Sequence, residues 1–285
     1  MTTLSQSLRL PVVRREAVLL LLVPFLAIPA VAFLATALHV GIDYRFSFYP
    51  AGQAVLSGQD MYTVESFYSP PWIAILLAPL ATLPLATSWA LFTLLSLGAF
   101  LITFYRMGLT PNQLGLVALS PFFLYNLWHG NLDSFVLLGS VLSPAVGVWL
   151  LLLKPQLTWP LIALWLLRCR KNPKAGSSVA FLLSLLVASA IAGLATFAHL
   201  PSPEAMPWNT SLWPVSIPVG LLTLLFAYRL DDDKLALGSA PLLSPYVGAP
   251  SWLLSTLPFL RRPRFLAAFV ALAWAAVVFR AAYLG

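Results

Sequence analysis

The sequence predicts an all-α polytopic membrane protein, and three observations carry this prediction. Hydrophobic residues occupy 60% of the 285 positions and charged residues only 9%, whereas soluble domains carry roughly 25% charged residues. The mean hydropathy is +0.88, so a soluble fold would lack the polar groups to cover its surface. The apolar residues form long unbroken runs such as Ala17–Leu38, unlike the short alternating segments of a transmembrane β-barrel.

The same composition excludes several other classes of protein. A disordered chain has low hydrophobicity, and a disulfide scaffold needs more than the single Cys169, which we interpret as a bystander. The net charge of +7 would indicate a nucleic-acid partner in a soluble protein. Here the basic residues form short clusters between apolar runs, as in membrane proteins whose topology they encode. We therefore expect no nucleic-acid partner.

The first membrane span is predicted at Ala17–Leu38, directly after a short arginine-rich segment. Its 22 residues are enough to cross a bilayer core that needs about 20. A signal peptide would have an apolar core of roughly 7–15 residues, so an uncleaved anchor is the better interpretation. Residues 1–16 are then cytoplasmic.

An outer loop over residues 39–88 is predicted to follow. Its first part, His39 to Ser69, is the longest polar stretch of the chain. The apolar segment Ile73–Leu83 comes next, is too short to span, and starts after Pro70-Pro71-Trp72. Because a proline in the first turn of a helix loses no hydrogen bond, we expect a juxtamembrane helix in the outer interface.

Residues 89–285 are predicted to form a helix bundle, so that the chain is a single integral membrane domain over 1–285. The segments between Ser134 and Leu167 are short enough to be broken helices around a buried cavity, or two of them merge, so the count lies between 8 and 11. The predicted segments are Trp89–Tyr105, Asn112–Leu127, Ser134–Leu142, Ala145–Leu153, Thr158–Leu167, Ser177–His199, Val219–Tyr228, Leu235–Leu243, Val247–Leu260 and Phe265–Ala282. This layout puts 13 of the 16 lysines and arginines on the inner side, as the positive-inside rule requires.

Asp43 is the first candidate for chemistry. It stands five residues after the first span, in Gly41-Ile42-Asp43-Tyr44-Arg45, so the end of that span would hold it at a defined depth. A carboxylate there can accept a proton from a sugar or lipid hydroxyl as a general base. The alternatives are a cap on the following helix or an ion pair with Arg45.

Lys154 is the second candidate, because it lies between apolar residues on both sides. A lysine at membrane depth needs a partner. That partner is a phosphate whose charge develops during group transfer, a lipid headgroup reached by snorkelling, or Asp133. His39, His129 and Asp133 make only a weak case for a metal site, and the three aspartates Asp231–Asp233 fit a solvated loop better than a cation site. We expect no metal and no cofactor.

The first outer loop resembles that of glycosyltransferase family 87. In that family an acidic residue after the first span is followed by an aromatic residue, an Ala-Gly pair and a Gly-x-x-x-Tyr turn, which here correspond to Asp43-Tyr44, Ala51-Gly52 and Gly58 to Tyr62. Further similar elements are Phe67-Tyr68-Ser69-Pro70-Pro71-Trp72, His129-Gly130-Asn131-Leu132-Asp133, Lys154-Pro155-Gln156 and Ser244-Pro245-Tyr246. The resemblance covers roughly residues 40–175.

The resemblance implies a GT-C fold and transfer of a hexose, often mannose, from a polyprenyl-phosphate donor to a lipid-linked or glycan acceptor outside the cytoplasm. It implies that Asp43 is the base and that Lys154 or Arg45 contacts the donor phosphate. The residues expected to bind substrate are Tyr44, Tyr49, Tyr62, Tyr68, His129, Asn131, Asp133 and Gln156. We expect a prokaryotic plasma membrane with the active site facing outwards.

Two alternatives remain open at the level of sequence. Broken helices around a lysine at the membrane midplane also occur in transporters of anionic substrates, so a transporter or a lipid-binding scaffold is the rival. An inactive member of the same family is the other alternative. The long acidic first loop favours the enzyme, since a transporter does not require it.

Overall fold

The computed structural model describes residues 29–171, 173, 175–196 and 209–283. These residues are all-helical except for turns, loops and one isolated bridge between Asn209 and Gly248. The predicted all-α fold class is therefore confirmed for the described part of the chain. Of the first predicted span, residues 29–37 are helical and form α1, while residues 17–28 lie outside the described residues.

The helices after α1 are mostly short. A π-helical turn, Tyr44–Phe48, leads into the next helix, and a 3₁₀ turn follows at Met61–Thr63. The α-helices are α2 (Tyr49–Leu56), α3 (Pro71–Ala81), α4 (Leu85–Arg106), α5 (Pro111–Ala118), α6 (Pro121–His129), α7 (Asp133–Gly139), α8 (Pro144–Leu151), α9 (Pro155–Lys171), α10 (Gly176–Thr196), α11 (Ile217–Leu230), α12 (Asp233–Leu243) and α13 (Pro263–Tyr283). A 3₁₀ segment, Ala249–Phe259, lies between α12 and α13.

Three of the described helices are long and apolar enough to cross a membrane. They are Leu85–Arg106, Gly176–Gly193 and Pro263–Arg280. Two shorter apolar helices, Pro71–Ala81 and Ile217–Leu230, accompany them. The arrangement is consistent with an integral membrane protein, and α3 begins with Pro71 in its first turn, as predicted.

Two predicted spans are wrong in their length or form. The segment Asn112–Leu127 is two helices, because the Ser120 hydroxyl accepts a bond from the Phe123 amide and so caps a new helix. Pro121 strengthens the break, since it cannot donate to the preceding turn. The segment Val247–Leu260 is the 3₁₀ segment and is largely buried in the protein core. Prolines at its first turn and near its end favour this short-range geometry over a membrane-spanning α-helix.

The short helices predicted between Ser134 and Leu153 are present as α7 and α8. They pack closely because Gly139 faces Gly147: a methyl group on either residue would collide with the carbonyl oxygen of the other. This close packing, together with aromatic contacts such as Phe100 against Phe123, holds the bundle around the ends of α6, α7 and α8. Those ends carry the candidate site.

Candidate functional site

Five polar side chains from four separate parts of the chain meet in one connected group, which we call the polar network: Asp43, Asn131, Asp133, Lys154 and Ser251. The Asn131 amide donates to Asp43 Oδ2 at 2.8 Å and accepts from the Lys154 ammonium at 2.5 Å. Lys154 Nζ also lies 2.8 Å from Asp133 Oδ2 and 2.9 Å from Ser251 Oγ. The network joins the start of the first loop to the ends of three helical elements.

Two glycines bring Asp43 to Asn131. A Cβ atom on Gly41 would lie 2.5 Å from the carbonyl carbon of His129, so only glycine lets this backbone approach the end of α6. Gly130 ends α6 in the left-handed conformation, with φ of 74°. A Cβ atom there would lie 2.8 Å from Tyr44 Cβ. The two segments therefore pack backbone against backbone. Asp43 lies two residues after Gly41, and Asn131 directly follows Gly130.

The orientation of the Asn131 side-chain amide is fixed by the two hydrogen bonds that its oxygen accepts. Asn131 Oδ1 accepts from the backbone N–H of Leu132 at 2.7 Å as well as from Lys154. With both of these donors on the oxygen, the NH₂ group points to Asp43. Asn131 Oδ1 and Nδ2 are bonded to the same carbon atom, so the Asp43 carboxylate and the Lys154 ammonium lie no more than about 8 Å apart.

Lys154 uses its whole hydrogen-bonding capacity within the protein. An ammonium has three N–H donors, and the three acceptors are Asn131, Asp133 and Ser251. The Ser251 hydroxyl in turn donates to Asp133 Oδ2 at 3.2 Å. The ion pair with Asp133, one of the alternatives open for Lys154, is therefore present, and a phosphate would have to displace one of these acceptors.

Asp133 is fully buried and lies in the first turn of α7. Its Oδ2 atom takes the bonds from Lys154 and Ser251, whereas its Oδ1 atom has no hydrogen-bond partner among the described residues. A buried carboxylate is costly unless it is paired. The ion pair with Lys154 offsets the cost of burying the Asp133 carboxylate.

Asp43 is a carboxyl whose pKa is shifted by its surroundings. Its side chain is half-buried, and burial raises the pKa of the carboxyl above its ordinary 3.8, while the Asn131 hydrogen bond and the charges of Lys154 and His129 lower it. The carboxylate does not cap the following helix. No described residue donates to Asp43 Oδ1. Neither the helix cap nor the Arg45 ion pair, the two alternatives for this residue, is formed in the described chain.

Tyr246 lies within electrostatic reach of the same carboxylate. Burial raises the pKa of its phenol, and the negative charge of Asp43 raises it further. Its loop is anchored by Asn209, whose side-chain oxygen accepts from the Val247 amide at 3.1 Å and whose NH₂ donates to the Pro245 carbonyl. The Trp252 indole donates to Thr210 Oγ1 at 3.0 Å. The segment Asn209-Thr210 therefore contacts both the loop that carries Tyr246 and the 3₁₀ segment that carries Ser251.

The other residues predicted from the sequence are divided between the core and the surface. Tyr44 is fully buried, hydrogen-bonded to Ser88 and packed on Trp89 and Phe92. Tyr49 and Tyr62 donate to the backbone carbonyls of Leu83 and Ser69, respectively.

Four further predicted residues lie outside the polar network. His129 packs edge-on against Tyr125. Tyr68 is partly exposed at 38% and Gln156 is exposed. Arg45 is exposed, and its guanidinium lies over the Phe46 ring. Of the predicted set, the structure therefore brings together Asp43, Asn131, Asp133 and Lys154.

Ser251 is a network member that the sequence analysis missed. Its only signal was a hydroxyl within the apolar segment Val247–Leu260, which is common in buried helices. No group of three or more His, Cys, Asp or Glu side chains among the described residues has the arrangement of a metal site. At Asp231–Asp233, two aspartates pair with Arg168 and the middle one caps α12.

Comparisons of the chain with protein-family profiles, with curated proteins and with solved structures found no match.

Proposed function

We propose that the chain is a membrane glycosyltransferase of the GT-C type, which moves a hexose from a polyprenyl-phosphate donor to a lipid-linked or glycan acceptor on the outer face. The observation that carries this proposal is the Asp43–Asn131–Lys154 connection, which places a tuned carboxylate and a cation on either side of one amide. Transfer from a lipid phosphate requires these two charges, a base for the acceptor and a cation near the leaving group.

The proposed reaction is a single displacement. Asp43 takes the proton of the acceptor hydroxyl while the hydroxyl oxygen forms a bond to the anomeric carbon. The bond from that carbon to the phosphate oxygen breaks, and the electron pair leaves with the polyprenyl phosphate. Attack opposite the leaving group inverts the anomeric configuration.

Asp43 is suited to this role because its pKa is raised by burial. A base works best when its pKa approaches the working pH. The Lys154 charge acts against this effect, since it favours the ionised form of the carboxyl. Lys154 contacts the donor phosphate in this proposal by exchanging one of its three acceptors, and the exposed Arg45 supplies a second cation from the same loop.

The test is sugar transfer in proteoliposomes with a panel of polyprenyl-phosphate hexoses and membrane-lipid acceptors. We compare wild type, Asp43→Asn and Glu65→Gln, the last being an exposed acid of the same loop and therefore a matched control. The proposal predicts transfer by wild type and Glu65→Gln and none by Asp43→Asn at equal protein level. Normal turnover by Asp43→Asn would overturn the assignment of the base.

An inactive or scaffold protein is the second candidate, and one observation favours it. The Lys154 ammonium is fully occupied by protein acceptors, as in a purely structural ion pair. If wild type transfers no sugar and a Lys154→Met/Asp133→Leu double variant melts well below wild type, the polar network serves the stability of the fold and this candidate replaces the enzyme.

A further inference from the structure

A second charged region lies at the opposite end of the 3₁₀ segment from Ser251. Two neighbouring cavities, of about 470 and 370 Å³, open there and share Lys234 and Leu257 in their walls. They lie among the C-terminus of α4, the N-terminus of α12 and the start of α13. The positive-inside rule predicts that this end faces the cytoplasm. None of the residues of the polar network lines either cavity.

The cavities are lined by four cations. Arg106 contributes to the larger one, and Arg261 and Arg262 to the smaller one, with Lys234 between them. The Lys234 ammonium is half-buried, and its one hydrogen bond to a described residue is a long contact of 3.5 Å to the Met107 carbonyl oxygen. Burial lowers the pKa of this ammonium, and the nearby charge of Arg261 lowers it further. An anion between these side chains would relieve both effects.

Two acids also line these cavities, Asp233 the larger one and Asp232 the smaller one, and both are already engaged. Asp232 directs its carboxylate to the backbone amides of Lys234 and Leu235 as the cap of α12. Asp233 lies 2.7 Å from the Arg168 guanidinium. Among the described residues, none of the four cations forms an ion pair with a carboxylate, although the negative charge of Asp232 acts on Lys234.

The walls of the cavities add apolar surface next to these charges. Phe259 and Phe265 line the smaller cavity, and Phe265 is 57% exposed. The larger cavity lies beside the end of α4 and the smaller one beside the start of α13, two of the three described helices long enough to span a membrane. Cationic pockets between such helices bind anionic lipid headgroups, because the phosphate meets the cations while the chains stay in the bilayer.

We propose that Lys234, Arg106 and the Arg261-Arg262 pair form a binding site for the phosphate of an anionic phospholipid of the adjoining leaflet. The phosphate lies between Lys234 and the guanidinium groups, and the acyl chains run along the exposed faces of α4 and α13. This site is independent of the polar network and of the proposed transfer reaction.

The experiment measures lipid binding to the purified full chain in detergent by native mass spectrometry and by the shift of melting temperature. The probes are dioleoyl-phosphatidylglycerol, dioleoyl-phosphatidylcholine and inorganic phosphate. The variants are Lys234→Gln and, as a matched control, Arg264→Gln, an exposed arginine at the same end that lines neither cavity. An Arg261→Gln/Arg262→Gln double variant keeps the test informative if Lys234→Gln fails to fold.

The proposal predicts that phosphatidylglycerol binds wild type and Arg264→Gln alike and raises their melting temperature. Binding to Lys234→Gln is expected to be about tenfold to hundredfold weaker, the effect of losing one charge-assisted hydrogen bond. Binding to the double arginine variant, which loses two charges, is expected to be weakened at least as much. Equal weakening by Arg264→Gln would show diffuse surface charge and overturn the site. Equal binding of phosphatidylcholine, or inorganic phosphate binding as tightly as phosphatidylglycerol, would overturn the lipid assignment.

Discussion

Replacing Gly130 by alanine tests the docking of the first loop on the end of α6. Gly130 has φ of 74°, a conformation that costs an alanine roughly 1–2 kcal/mol. The added Cβ atom would also lie 2.6 Å from Trp89 Cζ3 and 2.8 Å from Tyr44 Cβ. Both of these side chains are fully buried and have no room to withdraw.

The cost of this crowding can be separated from the cost of the backbone conformation. Gly58 also has a positive φ, of 66°, but no atom lies within 4 Å of a Cβ built there. Gly58→Ala should therefore cost only the conformational part, roughly 1–2 kcal/mol. Gly130→Ala should cost a further 1–3 kcal/mol or so for overpacking, and should pull Asn131 away from Asp43.

The assay is the melting temperature of each purified variant, followed by loss of the monodisperse peak on size-exclusion chromatography. A difference of about 1–3 kcal/mol corresponds to several degrees in a chain of this size. Gly130→Ala is expected to melt several degrees below Gly58→Ala. Equal melting temperatures for the two variants would refute the close docking of Gly130 against Trp89 and Tyr44.

Two further predictions concern the charges of the polar network. Lys154→Met leaves the Asp133 carboxylate buried and unpaired, so it should cost about 3–5 kcal/mol of stability. Lys171→Met, which removes an exposed lysine, should be near neutral when the two are compared by thermal unfolding. Burial raises the pKa of Asp43 above 3.8, so the folded chain holds that proton to higher pH than the unfolded chain. The stability of Asp43→Asn relative to wild type should therefore increase as pH rises from below 3.8 through the raised pKa and then level off, and a constant difference across this range would contradict the shift.

The sequence predicts the fold class well and the helix boundaries only in part. Unbroken apolar runs predicted α4, α10 and α13, because length and composition alone define such helices. The break between α5 and α6 was missed because the Ser120 cap and Pro121 lie inside a continuous apolar run. The 3₁₀ segment was missed for a similar reason, since hydropathy does not distinguish a buried core segment from one that faces lipid.

The sequence predicted the charged residues of the candidate site, but it did not predict the hydrogen bonds that connect them. Asp43 and Lys154 stand out as ionisable residues next to apolar sequence. Their connection through Asn131 depends on the close approach of Gly41 to the end of α6, a contact between residues about ninety positions apart that no local pattern encodes. For Tyr44 the sequence was misleading: the family resemblance predicted a substrate contact, but its ring is buried in the core.

The dependence of sugar transfer on pH tests the role of Asp43 most directly. The transfer rate of wild type should rise with pH along a limb set by the Asp43 pKa. Asn131→Ala removes the hydrogen bond that lowers this pKa, so its limb should move to higher pH, while Asn112→Ala, an exposed asparagine in α5, should keep the wild-type profile. A profile that is flat in wild type, or a limb that Asn131→Ala leaves in place, would contradict the assignment of Asp43 as the base.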